Sequence, residues 1–65
     1  MAELKNNNNK ERLIDEKELA ELIGMSLAFI VKARREYNLP YYKFGRSVRF
    51  KPSEVFEWTK ERKVV

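Results

Sequence analysis

The sequence predicts a small α+β domain in which three short helices carry a two-stranded hairpin between the second and the third. Three observations predict it. Gly24 ends one amphipathic stretch two residues before Ser26, which can start another. Residues 41–50 alternate between apolar or aromatic and basic side chains around Gly45. Pro52-Ser53-Glu54 then opens a third amphipathic stretch. With 65 residues the chain has room for one domain, whose core needs nearly every large apolar side chain.

Residues 1–12 hold four consecutive asparagines, Asn6 to Asn9, between charged flanks, and are expected to form a disordered leader. The folded domain is expected over residues 13–62, with 63–65 as a frayed tail. Asp15 and Glu18 have the spacing of a capping box, and Ile14 and Leu19 stand at the two positions of a hydrophobic staple. The first helix is predicted at about residues 16–23, with Leu19, Leu22 and Ile23 on its buried face and Gly24 as a left-handed cap. Ser26 is the N-cap of the second helix, predicted from Leu27 to Tyr37 and ended by Leu39-Pro40. Ile30, Ala33 and Tyr37 share its inner face; Ala28, Val31, Lys32 and Arg35 share its outer face. Ala20 is small enough to let the second helix approach the first. A helix that stops at glycine and restarts at once is the sequence form of a helix-turn-helix.

Gly45-Arg46-Ser47 reads as a three-residue hairpin loop. Symmetry about Arg46 sets Phe44 opposite Val48, Lys43 opposite Arg49 and Tyr42 opposite Phe50. One face is then apolar and the other basic. Like charges directly opposite are unfavourable unless that face meets an anion. Tyr41, Tyr42, Phe44 and Phe50 raise the thought of base stacking, but alternation turns the last three inward, towards a core. In the last helix, Val55 and Trp58 are expected to cover the core, with Arg62 and Lys63 near its negative end.

Charge is localised. Residues 13–25 are net acidic, whereas residues 26–51 carry Lys32, Arg34, Arg35, Lys43, Arg46, Arg49 and Lys51 against Glu36 alone. The whole chain is +4. A basic block within a small domain is the footprint of a polyanion site. With no cysteine and no histidine, disulfides, thiolate zinc sites and Ser-His or Cys-His nucleophiles are excluded. The Asp15/Glu18 pair is a cap rather than an acid/base pair. No enzyme activity, cofactor, metal, small-molecule substrate or membrane association is expected; the expected location is cytoplasmic and nucleoid-associated, for a bacterial or phage-encoded protein.

The order helix, tight turn, helix, hairpin, helix, basic on the second helix and the hairpin, suits double-stranded DNA. The major groove admits an α-helix, and a hairpin beside it can reach the backbone or the minor groove. Ser26, Ala28, Val31, Lys32 and Arg35 are the candidate major-groove residues, with Arg35 the better base reader because its planar fork matches guanine. Arg34, nearer the core edge, is a candidate phosphate ligand. Arg46 at the wing tip is expected to insert or to grip phosphate, with Lys43, Ser47, Arg49 and Lys51 behind it.

These residues also carry a family resemblance. Leu13 to Ser26 resembles the opening of the excisionase-type, MerR-like helix-turn-helix domain. Leu39 to Phe50 resembles its wing, and Ser53 to Trp58 its closing helix. The resemblance implies a winged helix fold and an architectural protein of phages and mobile elements. Such a protein binds and bends attachment-site DNA, assisting excision by a tyrosine recombinase, with further copies of itself on the DNA. MerR-type regulators share the DNA-binding half but continue into a long dimerisation helix, which this chain is expected to lack. One departure stands out: Leu27, Ala28, Phe29 and Val31 occupy positions that the family usually makes polar, and Phe56 a position it leaves outward. The apolar residues fit contact with thymine methyls, docking of a partner or of another copy, or a wider core. Two further functions are therefore open, a small transcriptional regulator of a prophage or mobile element and a protein-interaction module.

Overall fold

The computed structural model describes residues 11–64. The expected leader falls largely on residues 1–10, outside them. The element order is α1 (Glu16–Ile23), α2 (Leu27–Glu36), β1 (Tyr42–Phe44), β2 (Ser47–Arg49) and α3 (Pro52–Lys60). The two strands pair antiparallel as the only sheet among the described residues, between α2 and α3 in sequence. This is the winged helix-turn-helix form of a small α+β fold.

The start of α1 is built as its sequence demands. Asp15 Oδ1 accepts from the Glu18 amide at 2.8 Å, and Glu18 Oε1 accepts from the Asp15 amide at 3.1 Å, a reciprocal box. Ile14 and Leu19 meet in the core as the staple requires. Gly24 adopts φ +70°, and the Met25 amide reaches back to the Ala20 carbonyl at 2.9 Å, so the chain turns without a side-chain penalty. Two residues later the Ser26 oxygen accepts from the Phe29 amide at 3.0 Å and starts α2.

α2 ends earlier than its sequence predicts. Tyr37 is its cap and Asn38 takes φ +59°, so the helix is already broken before Leu39-Pro40. Asparagine is among the few non-glycine residues that enter this region readily. The Tyr37 and Leu39 amides both fold back onto the Ala33 carbonyl, at 2.9 and 3.2 Å. Tyr37 consequently leaves the inner face and is exposed, although its carbonyl accepts from Trp58 Nε1 at 2.8 Å and from Arg62 at 2.6 Å. Those two bonds tie the end of α2 to α3.

The hairpin differs most from expectation. The register pairs Tyr42 with Arg49, Lys43 with Val48 and Phe44 with Ser47, leaving Gly45-Arg46 as a two-residue loop. Gly45 has φ +63° while Arg46 keeps a negative φ, the positive-then-negative pattern of a II′ turn, whose twist matches that of the strands. A one-residue change of register reverses which side chains of one strand accompany those of the other. Val48 and Phe50 still face inward, but Tyr42 and Phe44 now share the outer face with Ser47 and Arg49. Both aromatics are exposed, so the expected apolar inner face is half as large as predicted. Lys43 and Arg49 lie on opposite faces rather than as a paired ledge.

The core consists of Ile14, Leu19, Ala20, Ile30, Ala33, Leu39, Phe50, Val55 and Trp58, with Ile23, Phe29 and Val48 packed at its edge. Leu22, predicted on the buried face of α1, is exposed instead. Its azimuth lies about 60° from Leu19 on the side away from Ala20, and Ala20 turns inward in its place. Ile14 and Phe50 form an isolated antiparallel bridge, with bonds of 2.9 and 2.7 Å, that ties the segment before α1 to the end of the hairpin.

The first turn of α3 is capped from a distance. Lys51 offers no side-chain cap, and Glu11, one of the last two leader residues, accepts from the Ser53 amide at 2.6 Å and hydroxyl at 2.8 Å. The Ser53 hydroxyl and amide hold the Glu11 carboxyl below its ordinary value of 4.5. Arg12, which donates to Glu18 at 2.6 Å, and then the Asp15 amide do the same for Glu18. A carboxyl that is depressed in the folded state stabilises fully above pH 4.5, and its contribution is lost as pH falls through the lower folded value. The urea midpoint is therefore expected to fall on acidification below pH 4.5. Glu18→Gln, which can keep the capping box but not the charge, is expected to flatten that fall; an unchanged profile would remove Glu18 from the account.

Candidate nucleic-acid interface

The second helix of the motif is positioned by α1. Leu19 and Ala20 of α1 and Ile30 and Ala33 of α2 bury the contact, and the small Ala20 and Ala33 let the two helices approach closely. At the edge of this contact Arg34 Nε donates to Glu16 Oε2 at 3.2 Å, and its guanidinium lies 5.0 Å from the centre of the Tyr41 ring. Only 19% of the Arg34 side chain is exposed. The sequence makes Arg34 a phosphate ligand; in the structure it is already the ion-pair partner that sets α2 against α1. Such a partly exposed pair contributes about 1 kcal/mol or less.

The side of α2 opposite the core presents Ala28 and Arg35 at its centre, with Val31 to one side and Lys32 to the other. Arg35 is exposed. Lys32 Nζ lies 5.8 Å from the centre of the Tyr37 ring, which draws it towards the C-terminal end of the helix. Ser26 has its oxygen engaged as the cap, and its hydroxyl hydrogen remains as a donor. The helix therefore divides into an apolar N-terminal half, Leu27, Ala28 and Val31, and a basic C-terminal half. Leu27 is 51% exposed. Of the other residues that depart from the family pattern, Phe29 packs at the core edge, with its ring 6.1 Å from that of Tyr37.

On the wing, Arg46 occupies the second position of the turn and Lys43 precedes it on the inner-facing side beyond Val48; both are exposed. Ser47 is exposed opposite Phe44. Arg49 is half-buried and donates to the Val48 carbonyl at 2.8 Å. Lys51 is half-buried at the start of α3, where its carbonyl accepts from the Glu54 and Val55 amides. Among the described residues, no carboxylate lies within ion-pair distance of Lys32, Arg35, Lys43 or Arg46. Uncompensated cations on two adjacent sequence elements produce the localised positive field that the charge pattern predicts.

Sequence reasoning missed Phe44, which is 57% exposed beside the turn. The residue type was a cue: glycine at the first central position suits a two-residue II′ turn, and that loop length fixes the parity. Tyr42 on the same face donates to Glu54 Oε2 at 2.8 Å, which raises the phenol above its ordinary value. Away from α2 and the hairpin, a groove of about 640 Å³ runs between α1 and α3, lined by Ile14, Leu22, Pro52 and Phe56 together with Glu21, Glu11 and the Arg12–Glu18 pair. No helix among the described residues is long and apolar enough to cross a membrane.

Residues 13–63 match the family model described as a helix-turn-helix domain, a DNA-binding unit that is typically non-enzymatic. No curated protein and no solved structure gave a significant match. The match spans both helices of the motif, the wing and α3, and on that ground the chain belongs to the helix-turn-helix domain family.

Proposed function

We propose that this protein is a recombination directionality factor, which binds and bends attachment-site DNA and thereby favours excision by a tyrosine recombinase. The observation that supports it best is the set of cations on the outer side of α2 and on the wing, Lys32, Arg35, Lys43 and Arg46, with which no carboxylate among the described residues pairs. In this reading α2 lies in the major groove, with Ser26, Ala28, Val31, Lys32 and Arg35 towards the bases. Arg46 grips a phosphate or enters the minor groove, and Ser47, Arg49 and Lys51 serve the backbone beside it. Phe44 next to the wing tip supplies an apolar wedge of the kind that kinks duplex DNA by opening a base step. Arg34 contributes by holding α2 in place.

A second reading, a small transcriptional regulator, uses the same surface and differs in the location of the site. The α1/α3 groove favours a protein contact alongside either, because its lining of apolar and charged side chains belongs to segments that the DNA surface does not use. The recombinase, or a further copy of this chain on neighbouring DNA, would be the occupant.

Two measurements separate these readings. Gel mobility of circularly permuted duplexes carrying a selected binding site reports bending, and amplification across the rejoined attachment junction reports excision in cells. Overproduction is expected to raise the junction signal and the bound DNA to be bent, with Phe44→Ala reducing the bend. Straight bound DNA, an unchanged junction signal and an altered neighbouring promoter would assign the protein to transcriptional control.

A further inference from the structure

We infer that the N-terminal half of α2 reads the C5-methyl groups of thymine in the major groove, through Leu27, Ala28 and Val31; the inference rests on the placement of α2 in that groove. Residues 27, 28 and 31 follow the i, i+1, i+4 spacing of one helical side. All three retain exposure, and Leu27 keeps half of its surface in water. Packing within the domain therefore accounts for only about half of its apolar surface.

The polar groups at this end of the helix are few. Ser26 is the one hydroxyl, and its oxygen already serves the Phe29 amide. Lys32 leans over Tyr37, and Arg35 stands a little more than two turns beyond Leu27 along the helix. Hydrogen-bond readout therefore belongs to Arg35, while the leading half offers base edges an apolar surface. In the major groove the apolar group that distinguishes one base from the others is the thymine methyl. The surrounding charge selects the occupant. Lys32 and Arg35 border the patch on the same helix, Lys43 and Arg46 add the wing's charge, and no carboxylate pairs with any of them among the described residues. That surround favours a polyanion carrying methyl groups over an apolar protein segment.

The test uses the full chain and duplexes selected by it from a random pool. Each thymine of a selected site is replaced singly by deoxyuridine, which removes the methyl and leaves the pairing edge intact. Thymine is expected at one or two fixed positions in the half-site. Its replacement there is expected to weaken binding about fourfold per methyl withdrawn, by the free energy of burying one such group. Leu27→Ala, at an exposed position, is expected to keep the melting temperature and to lose the discrimination between thymine and uracil at one of those positions, the one that Leu27 reads. If a site is selected and bound with normal salt dependence but every uracil duplex binds like its parent, methyl reading is overturned and DNA binding stands. If Leu27→Ala discriminates thymine from uracil at every position as strongly as the parent does, the assignment to Leu27 is overturned. If no duplex is enriched and binding does not respond to salt, the DNA reading itself fails and takes this one with it.

Discussion

Phe50→Ala is expected to leave the chain largely unfolded, with a loss of about 3–5 kcal/mol. Phe50 has no exposed surface and is the largest of the fully buried side chains. Its position also fixes the main chain, because its amide and carbonyl both bond Ile14, which is half of the staple that starts α1. Removing the ring opens a void where the hairpin, α1 and α3 are drawn together. At typical stabilities per residue a domain of this size has roughly 3–10 kcal/mol in total. The loss is therefore comparable to the whole. Urea unfolding followed by circular dichroism measures it. Phe44→Ala in the same experiment is expected to change the midpoint by about 0.5 kcal/mol or less, as substitutions at exposed positions do. The comparison tests the hairpin register directly: with a three-residue loop the two phenylalanines would share the inner face, and both substitutions would be severe.

This contrast shows where the sequence was legible. Helix starts were readable because caps are local: Asp15, Glu18 and Ser26 each satisfy amides within three residues, so spacing alone locates them. Gly24 was readable for the same reason, as a left-handed position that glycine fills at little cost. Asn38 carried a weaker form of that signal and was passed over for the more conspicuous Pro40. The hairpin parity depended on loop length, set by the positive φ falling at Gly45, the first loop residue, and alternation does not encode it. Contacts between distant residues were not legible at all. Glu11 capping α3 across 42 positions, Arg34 paired with Glu16, and Trp58 and Arg62 sharing the Tyr37 carbonyl follow from tertiary placement. For the candidate interface this had a specific consequence. Charge patterning located the basic elements but could not separate Arg34, which holds the fold, from Arg35, which is free to meet a ligand.

That separation makes the expected binding results unequal among neighbouring arginines. Arg35→Ala is expected to weaken binding to a selected duplex roughly 5- to 150-fold, the range for losing a bidentate contact to guanine, and to relax the preference at one base position. Arg46→Ala is expected to weaken binding to all duplexes alike and to lower the slope of log affinity against log salt by about 0.9, the share of one phosphate. The difference follows from placement. Arg35 lies at the centre of the outer side of α2 and Arg46 at the turn of the wing; in the proposed docking the first faces a base edge and the second the backbone or the minor groove. The two positions stand on separate elements with no shared partner, so the double variant is expected to lose the sum of the two free energies. Arg34→Ala supplies the contrast: it breaks the Glu16 pair and the stack on Tyr41, so its effect belongs in the melting temperature, with a salt slope close to that of the parent. Gel shifts at several salt concentrations, read beside thermal melts, resolve all three. An unchanged slope in Arg46→Ala together with unchanged affinity in Arg35→Ala would mean that neither element touches DNA. The groove between α1 and α3, bordered by Glu18 and Glu21, would then be left as the surface through which this domain meets its partner.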